Sequence, residues 1–222
     1  KMAVADYLLR NFAKQLERYS FQAHGSGKSG IIQVTRCGQE VLERTACEIE
    51  EKTGNIIVRF EVGFPARGRT IQAGELIKIL YQYLPACVEK ALYYKNMDQN
   101  AVKRAAELAV DQEYIREQLK KEGLIAFVAD GSILPRESGV SQRPMKDAVP
   151  FVSPDSMKVT MKLPYKGVLT GMGIRKGITL VVGGGYHGKS TLLKALESGV
   201  YPHIAGDGRE YVVTDDTAMK IR

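Results

Sequence analysis

Two stretches of the chain end in the Gly-Lys-Ser sequence that is typical of phosphate-binding loops. "HGSGKSG" covers residues 24–30, and "GGGYHGKST" covers residues 183–191. Such a loop needs a strand before it, glycines that let backbone N–H groups converge, and a helix that begins at the lysine. The helix N-terminus adds unpaired amides and the positive end of its dipole. The elements around each stretch therefore decide whether it can hold phosphate groups.

The second stretch satisfies the complete pattern G-x-x-x-x-G-K-[ST]. "ITLVV" at 178–182 predicts the strand, and the apolar spacing after it predicts a helix over 189–198. We expect ATP here, with Lys189 as the catalytic cation at the β- and γ-phosphates and the Ser190 hydroxyl as a ligand of Mg²⁺. The alternative is a glycine turn with a surface lysine. The predicted nucleotide-binding residues are Gly183, Gly184, Gly185, Tyr186, His187, Gly188, Lys189, Ser190 and Thr191.

The first stretch lacks the context of a nucleotide site. Gln22 stands where the opening glycine belongs, a predicted helix precedes the stretch, and a predicted strand follows it. This is the reverse of the required order, so we interpret residues 24–30 as a flexible connector. A second interpretation is that the glycine amides and Lys28 contact another anion, such as RNA phosphate.

Hydrophobic periodicity predicts a mixture of helices and strands. Helices are expected over 1–20 and 98–122, where Leu108, Ile115 and Leu119 form one apolar stripe. The run "LIAFVA" predicts a buried strand, and residues 130–156 predict a long loop or a domain junction. Further strands are expected at "IIQVT", "TACEIE", "NIIVRFEVGF", "MKVTMKL" and "EYVVTD", and further helices within "AGELIKILYQYLPACVEKALYY".

Composition limits the classes of function. The formal net charge is +7, and residues 151–200 hold seven Lys or Arg against two acidic residues, which favours an anionic ligand. No apolar run is long enough to span a membrane, so a transporter is not expected. The three cysteines lack metal-ligand spacing and predict a reducing, cytoplasmic compartment.

Several segments together resemble the family of predicted ATPases of the ABC class. They are "FPARGR", "LIAFVADGSILPRESGVS", "AVPFVSP", "GGGYHGKSTLL" and "GDGREYVVTDD", which span almost the whole chain. The resemblance implies ATP binding, hydrolysis, a cytosolic setting, and a head-to-tail homodimer that closes over ATP. The family's signature motif and Walker B Asp-Glu are not found in the sequence. We therefore expect a fragment that lacks both ends and holds about half of a nucleotide site.

The resemblance also suggests supporting positions. ABC proteins stack adenine on an aromatic residue about two dozen positions before the loop lysine, and Tyr165 stands there. A half-buried strand tyrosine is the equal alternative. We expect Asp207 and Arg209 to pair locally, unless Arg209 meets a phosphate or a partner subunit. His24 and His203 have no evident partner, so we expect both to be structural or exposed. Arg67 and Arg69 suggest either a solvated turn or contact with RNA or an acidic protein surface.

One polar loop and the overall assignment complete the expectations. The loop at 130–139 concentrates Asp130, Ser132, Arg136 and Ser138, so a ligand-contact role is an alternative to a structural one. We predict an α/β protein, with a mixed accessory domain over 1–150 and the start of an ABC-type P-loop core over 151–222. The expected function is an Mg-dependent ATPase that drives a conformational cycle on a macromolecule. The alternatives are an RNA-binding protein with a regulatory nucleotide site and a P-loop small-molecule kinase.

Overall fold

The computed structural model describes residues 1–221, and the chain folds into two compact units. Unit 1 consists of residues 1–37 and 43–103, and unit 2 consists of residues 38–42 together with the chain from 104 onward. The chain thus leaves unit 1 after Cys37, returns at Glu43, and leaves again inside a long helix. The boundary that we expected near residue 150 falls within unit 2, because strands on both sides of it share one sheet.

Unit 1 is built from three helices and short two-stranded sheets. Its first helix places Leu8, Leu9, Phe12 and Leu16 on one buried face, as its apolar spacing predicts. The elements are α1 (Met2–Tyr19), β1 (Ile32–Gln33), β2 (Cys47–Ile49), β3 (Ile56–Val58), β4 (Glu61–Val62), β5 (Ala66–Arg67), β6 (Thr70–Ile71), α2 (Ala73–Lys78), a π-helical turn (Ile79–Tyr83), α3 (Leu84–Leu92) and a 3-10 turn (Tyr94–Asn96).

The strands of unit 1 form antiparallel pairs. β1 pairs with β4, β2 with β3, and β5 with β6. The last pair is a hairpin where we predicted only a turn, and Gly68 with a φ of +59° makes the reversal. Pro85 lies in the first turn of α3, where its missing N–H costs no hydrogen bond within the helix.

Unit 2 contains a four-stranded antiparallel sheet in the order β10 (Val212–Thr214), β7 (Leu124–Ala129), β9 (Gly167–Arg175), β8 (Lys158–Leu163). The side chains of the inner strand β7 enter two apolar clusters alternately. Phe127 and Ala129 pack with the helix Gln99–Glu122, whereas Ala126 and Val128 pack with the helix Lys189–Ser198. Because helices cover both faces, this strand appears in the sequence as a continuous apolar run. The elements are α4 (Gln99–Glu122), which begins in unit 1, β7 (Leu124–Ala129), β8 (Lys158–Leu163), β9 (Gly167–Arg175), α5 (Lys189–Ser198) and β10 (Val212–Thr214).

One predicted strand is wrong. Residues 178–182 form no strand, and Leu180 and Val182 are 80% and 73% exposed. A strand needs a neighbouring ladder, and no described segment pairs with this one. The strand that pairs β7 with β8 is instead the glycine-rich β9. There a side chain at Gly171 would place its Cβ 2.4 Å from the Val128 carbonyl oxygen.

Candidate nucleotide-binding site

The glycine loop at 183–188 runs directly into the N-terminus of α5. The helix begins at Lys189, as predicted, and the amide of Leu192 donates to the carbonyl of Gly188 at 2.9 Å. The N-cap position is Gly188, and no side chain caps the helix. The first-turn amides of a helix have no acceptor within the helix. They therefore remain available to an anion in front of the loop.

The backbone conformation explains two of the loop glycines. Gly183 has a φ of +153° and Gly188 a φ of +79°, a region that side chains with a Cβ rarely adopt. A Cβ built at Gly188 would meet nothing within 4 Å, so this glycine is required for its conformation and not for space. Tyr186 also has a positive φ of 62°, and its side chain is fully exposed at the loop tip. The loop is thus a strained turn that projects from the helix.

The ammonium group of Lys189 folds back over the loop. Its Nζ atom donates to the carbonyl of Gly183 at 2.7 Å and also to the carbonyl of Gly184. The imidazole of His187 lies against Gly184, since a Cβ built at Gly184 would be 3.1 Å from Cε1 of the histidine. The ammonium group is therefore held by carbonyls of the glycine loop that leads into α5, and the next residue, Ser190, is exposed.

The other end of α5 is fixed to the sheet. Ala195 is fully buried, and the hydroxyl of Thr214 donates to the Leu196 carbonyl at 2.8 Å. The amide of Thr214 donates to the carbonyl of Gly199 at 2.9 Å. A helix of this length spans about 15 Å, so its anchored end holds the loop end in place. Strand β10 thus positions α5 behind the glycine loop.

A buried polar cluster stands beside this anchored end. Asp207 is 1% exposed, and its Oδ2 accepts from Arg136 at 2.8 Å and pairs with His203 Nδ1 at 2.7 Å. The other ring nitrogen of His203 lies 3.2 Å from the Ser198 carbonyl at the C-terminus of α5. Within the described chain, Asp207 Oδ1 has no hydrogen-bond partner. The cluster thus links the 130s loop, the 203–207 turn and α5.

The predicted local pairing of Asp207 with Arg209 is wrong. Arg209 is buried, and its Nε donates to the Leu134 carbonyl at 3.0 Å while its Nη1 lies 3.3 Å from Ser198 Oγ. Burial lowers the pKa of Arg209 to about 10, and the nearby Arg136 charge acts in the same direction. His203, for which the sequence showed no evident partner, is buried and has the structural role that was one of its two expected roles. The four-residue spacing from His203 to Asp207 is the sequence signal that could have indicated their contact.

Family comparisons agree with this geometry. Residues 98–222 match a family model described as the P-loop domain of ABC_ATPase, and residues 1–95 match one described as the N-terminal part of ATPases of the ABC class. The chain belongs to the family of ABC-class ATPases. An uncharacterized protein of Methanocaldococcus jannaschii is 29% identical to it over 151 residues. That match covers 64% of this chain and 34% of the relative, so it spans about a third of the relative's length.

The family assignment confirms two predictions from sequence. Membership in the ABC class and the α/β fold class with a P-loop domain are both borne out. The family is one of nucleotide-binding ATPases, which agrees with the glycine loop as the site. The assignment of individual residues to ATP remains a prediction.

The structure places the predicted adenine platform on a turn. Tyr165 lies between β8 and β9, and its side chain is exposed. The buried carboxylate of Asp111 fixes this turn, because it accepts the amides of Tyr165 at 2.9 Å and Lys166 at 2.8 Å. This ABC-class ATPase therefore presents the ring to solvent, and stacking on adenine remains a prediction.

The polar groups of the 130–139 loop are occupied by bonds within the protein. Asp130 accepts from the Ser153 amide at 2.6 Å and from the Thr170 hydroxyl at 3.0 Å, and Arg136 holds Asp207. Ser132 is buried, and Ser138 Oγ accepts the Ser141 amide. These contacts favour the structural interpretation of the loop over ligand contact.

In unit 1, the first Gly-Lys-Ser stretch has the element order that we expected. Helix α1 precedes it, strand β1 follows it, and no helix begins at Lys28. Arg67 and Arg69 lie exposed on the β5–β6 hairpin. Among the described residues, no three His, Cys, Asp or Glu side chains are grouped so that they could hold a metal ion. No helix in this part of the chain is long and apolar enough to cross a membrane.

Proposed function

We propose that this ABC-class ATPase binds ATP at residues 183–191 and hydrolyses it with Mg²⁺. The observation that carries the proposal is the uncapped N-terminus of α5, with the Lys189 ammonium folded across the loop in front of it. Unpaired helix amides and an ammonium on the same helix turn favour a group with several negative oxygens. The family membership of residues 98–222 supports the same chemistry.

The donor set fits a nucleotide phosphate with magnesium. The loop amides and the first turn of α5 donate hydrogen bonds to phosphate oxygens, while Lys189 exchanges its two carbonyl acceptors for the β- and γ-phosphates. The Ser190 hydroxyl lies on the same turn and offers an oxygen ligand of the kind that Mg²⁺ takes. Magnesium, when bound, would neutralise charge on the phosphate oxygens.

The chain's own residues supply binding and charge stabilisation in this proposal. Lys189 offsets the negative charge that develops on the transferred phosphoryl group, and the amides fix that group in line with an attacking water. Asp215 and Asp216 follow β10 and resemble a catalytic acidic pair in type. However, Thr214 beside them bonds to the C-terminal turn of α5, at the opposite end from Lys189. We therefore assign neither of them as the base.

We further propose that ATP closes two copies of the chain and that this closure acts on a macromolecular partner in the cytoplasm. The loop tip at Tyr186 and residues 180–182 are exposed and therefore available to a second surface. Light scattering with size exclusion tests this directly. We expect a monomer without nucleotide and a dimer with ATP when hydrolysis is slowed, and a mass independent of ATP would contradict it.

A titration with a fluorescent ATP analogue tests the nucleotide site. Lys189→Ala removes a charge-assisted contact worth about 1.5–3 kcal/mol, so we expect the dissociation constant to rise roughly 10- to 150-fold. Lys194→Ala on the same helix removes an exposed lysine and serves as the matched control. Equal affinity of the two variants would refute the site.

Two further measurements refine the assignment. Ser190→Ala should abolish the gain in affinity from Mg²⁺ while leaving Mg²⁺-free binding unchanged, because it removes only the proposed metal ligand. Release of ADP with and without added small-molecule acceptors separates hydrolysis from a kinase reaction. An ATPase releases ADP at the same rate in both cases.

A further inference from the structure

The first glycine-rich stretch is a built loop and not the flexible connector that we expected. The Ser26 amide donates to the Ala66 carbonyl at 2.8 Å, and the Ser29 hydroxyl accepts the Ala66 amide at 3.1 Å. The buried Ser29 also donates to the Ser26 carbonyl at 2.6 Å. The loop at 24–30 and the hairpin at 66–71 are thus one hydrogen-bonded structure.

Close backbone packing holds the two segments together. The Gly30 amide donates to the Gly63 carbonyl at 2.8 Å, and the Gly63 amide donates to the Ile31 carbonyl at 2.8 Å. A Cβ at Gly63 would lie 1.9 Å from the Lys28 carbonyl oxygen, which no side chain tolerates. Position 63 therefore requires glycine so that its backbone can lie against the backbone of Lys28. We call the combined surface of residues 21–30 and 63–71 the loop–hairpin surface.

The loop–hairpin surface is positively charged. It exposes Lys28, Arg67 and Arg69, and its sequence contains no acidic residue. The acidic group that contacts it is Glu75, which accepts the His24 amide at 3.1 Å and pairs with Lys78 at 2.6 Å. That carboxylate is already neutralised, so the three cations are left to attract an anion from outside.

Two exposed aromatic rings belong to the same surface. Phe21 and Phe64 are 62% and 60% exposed. The loop contacts fix the backbone at both residues. The Phe21 amide donates to the Gly30 carbonyl at 2.7 Å, and Phe64 directly follows Gly63, which is bonded to Gly30 and Ile31. Phe21 also has a φ of +63°, a strained conformation for a bulky residue. Strain that presents an exposed ring points to a function for that ring.

We propose that the loop–hairpin surface binds single-stranded nucleic acid, with Lys28, Arg67 and Arg69 on phosphates and Phe21 and Phe64 under bases. Cations beside exposed rings are the combination that unpaired strands bind, because every base offers a stacking face. An acidic protein would match the charge but would not account for the rings. The surface lies in unit 1, and its binding does not require the nucleotide site of unit 2.

Fluorescence anisotropy with a labelled 20-nucleotide oligo-uridine tests the proposal on the full chain. Arg67→Ala with Arg69→Ala should weaken binding roughly tenfold or more and reduce the slope of log affinity against log salt by about 1.4. The matched control is Lys14→Ala with Lys52→Ala, which removes two exposed cations from outside the surface. Equal weakening by the two double variants, or no binding of the wild type, overturns the proposal.

Phe64→Leu separates stacking from charge. It keeps an apolar side chain but loses the aromatic face, and we expect about tenfold weaker binding with an unchanged salt slope. Unchanged affinity, or a stronger preference for a duplex of the same length, overturns a single-strand site. Gly63→Ala should weaken binding by displacing the loop, whereas Gly74→Ala, which has open space around it, should not.

The nucleotide proposal and this one fail separately. Lys189→Ala should retain full affinity for oligo-uridine, and the Arg67 and Arg69 variant should retain full affinity for the ATP analogue. Displacement of the oligonucleotide by an acidic polypeptide, with Phe64→Leu having no effect on that displacement, would indicate a protein partner and would overturn the nucleic-acid assignment.

Discussion

The buried carboxylate of Asp207 gives the sharpest test of how unit 2 holds the nucleotide loop. Arg136→Ala removes the Nη2 contact to Oδ2 at 2.8 Å and the Nη1 contact to the Asp207 carbonyl at 2.7 Å. Oδ1 already has no partner in the described chain, so His203 and the charge of the nearby Arg209 would then be left to balance the carboxylate. Breaking a buried ion pair on one side costs about 3–5 kcal/mol, because the remaining charge stays buried with less compensation.

That loss is large enough to measure in two ways. For a chain of this size it corresponds to a fall in Tm of roughly 6–20 °C in a thermal scan. Hydrogen exchange with mass spectrometry locates the effect, and we expect faster exchange in α5 and β10, which the cluster supports. Arg143→Ala is the matched control, since it removes an exposed arginine from the same loop and should change the free energy of unfolding by less than about 0.5 kcal/mol.

A double variant completes the test. Asp207→Ala added to Arg136→Ala removes the uncompensated charge as well, so the double variant should be no less stable than Arg136→Ala alone. If Arg136→Ala and Arg143→Ala shift the Tm equally, the buried pair does not stabilise unit 2 and the reasoning is refuted. Exchange that quickens elsewhere and not in α5 would refute the link to the nucleotide loop.

Three other predictions follow from single residues. Gly188→Ala forces a Cβ into a left-handed conformation at a cost of about 1–2 kcal/mol, so affinity for the ATP analogue should fall. Gly139→Ala, outside the loop and at a φ outside that region with open space around it, should leave this affinity unchanged. Burial acts to raise the pKa of Asp130, but hydrogen bonds from Ser153 and Thr170 bring it below the ordinary 3.8. Its stabilisation is therefore present above pH 3.8 and lost as the pH falls below that value, and Asp130→Asn should remove this acid step from a pH series of unfolding midpoints. Burial raises the pKa of the Cys47 and Cys87 thiols to about 11, so a thiol reagent at pH 7 should label them only after unfolding, and rapid labelling of the native protein would contradict this.

Local pattern was sufficient for much of the fold. The 3.6-residue spacing of α1 and α4 and the six-residue apolar run of β7 identified these elements because each carries its burial pattern in consecutive residues. Residues 178–182 have an equally apolar pattern but form no strand, since strand formation depends on a ladder partner that local sequence does not specify. β9 was not predicted, because a glycine-rich segment is typical of a loop in sequence. In the structure its glycines allow the neighbouring strands to pack closely.

The candidate site was likewise predictable from the sequence only in part. The glycine loop and the start of α5 at Lys189 were predictable because the motif is contiguous and each position has a backbone reason. The Asp207 cluster was not, since Arg136 stands 71 residues before its carboxylate. The contact of the 24–30 loop with Ala66 joins residues about 40 apart and was missed for the same reason. Long-range pairing of this kind leaves no periodic signal in the sequence.

Residues 38–42 lie outside the P-loop family match at 98–222 but belong to the same compact unit as most of that match. Within unit 2, the Val41 amide donates to the Pro202 carbonyl at 2.8 Å, the Ile204 amide donates to the Gln39 carbonyl at 3.0 Å, and Glu40 bridges to His203. A shortened protein that starts at residue 98, where the P-loop family match begins, would lose this backbone cover from the turn that carries His203. A continuous piece that holds only residues 98–222 would therefore lack a segment that is part of unit 2, including the buried Val41. A peptide of residues 38–42 added to that piece should restore the hydrogen bonds to Pro202 and Ile204.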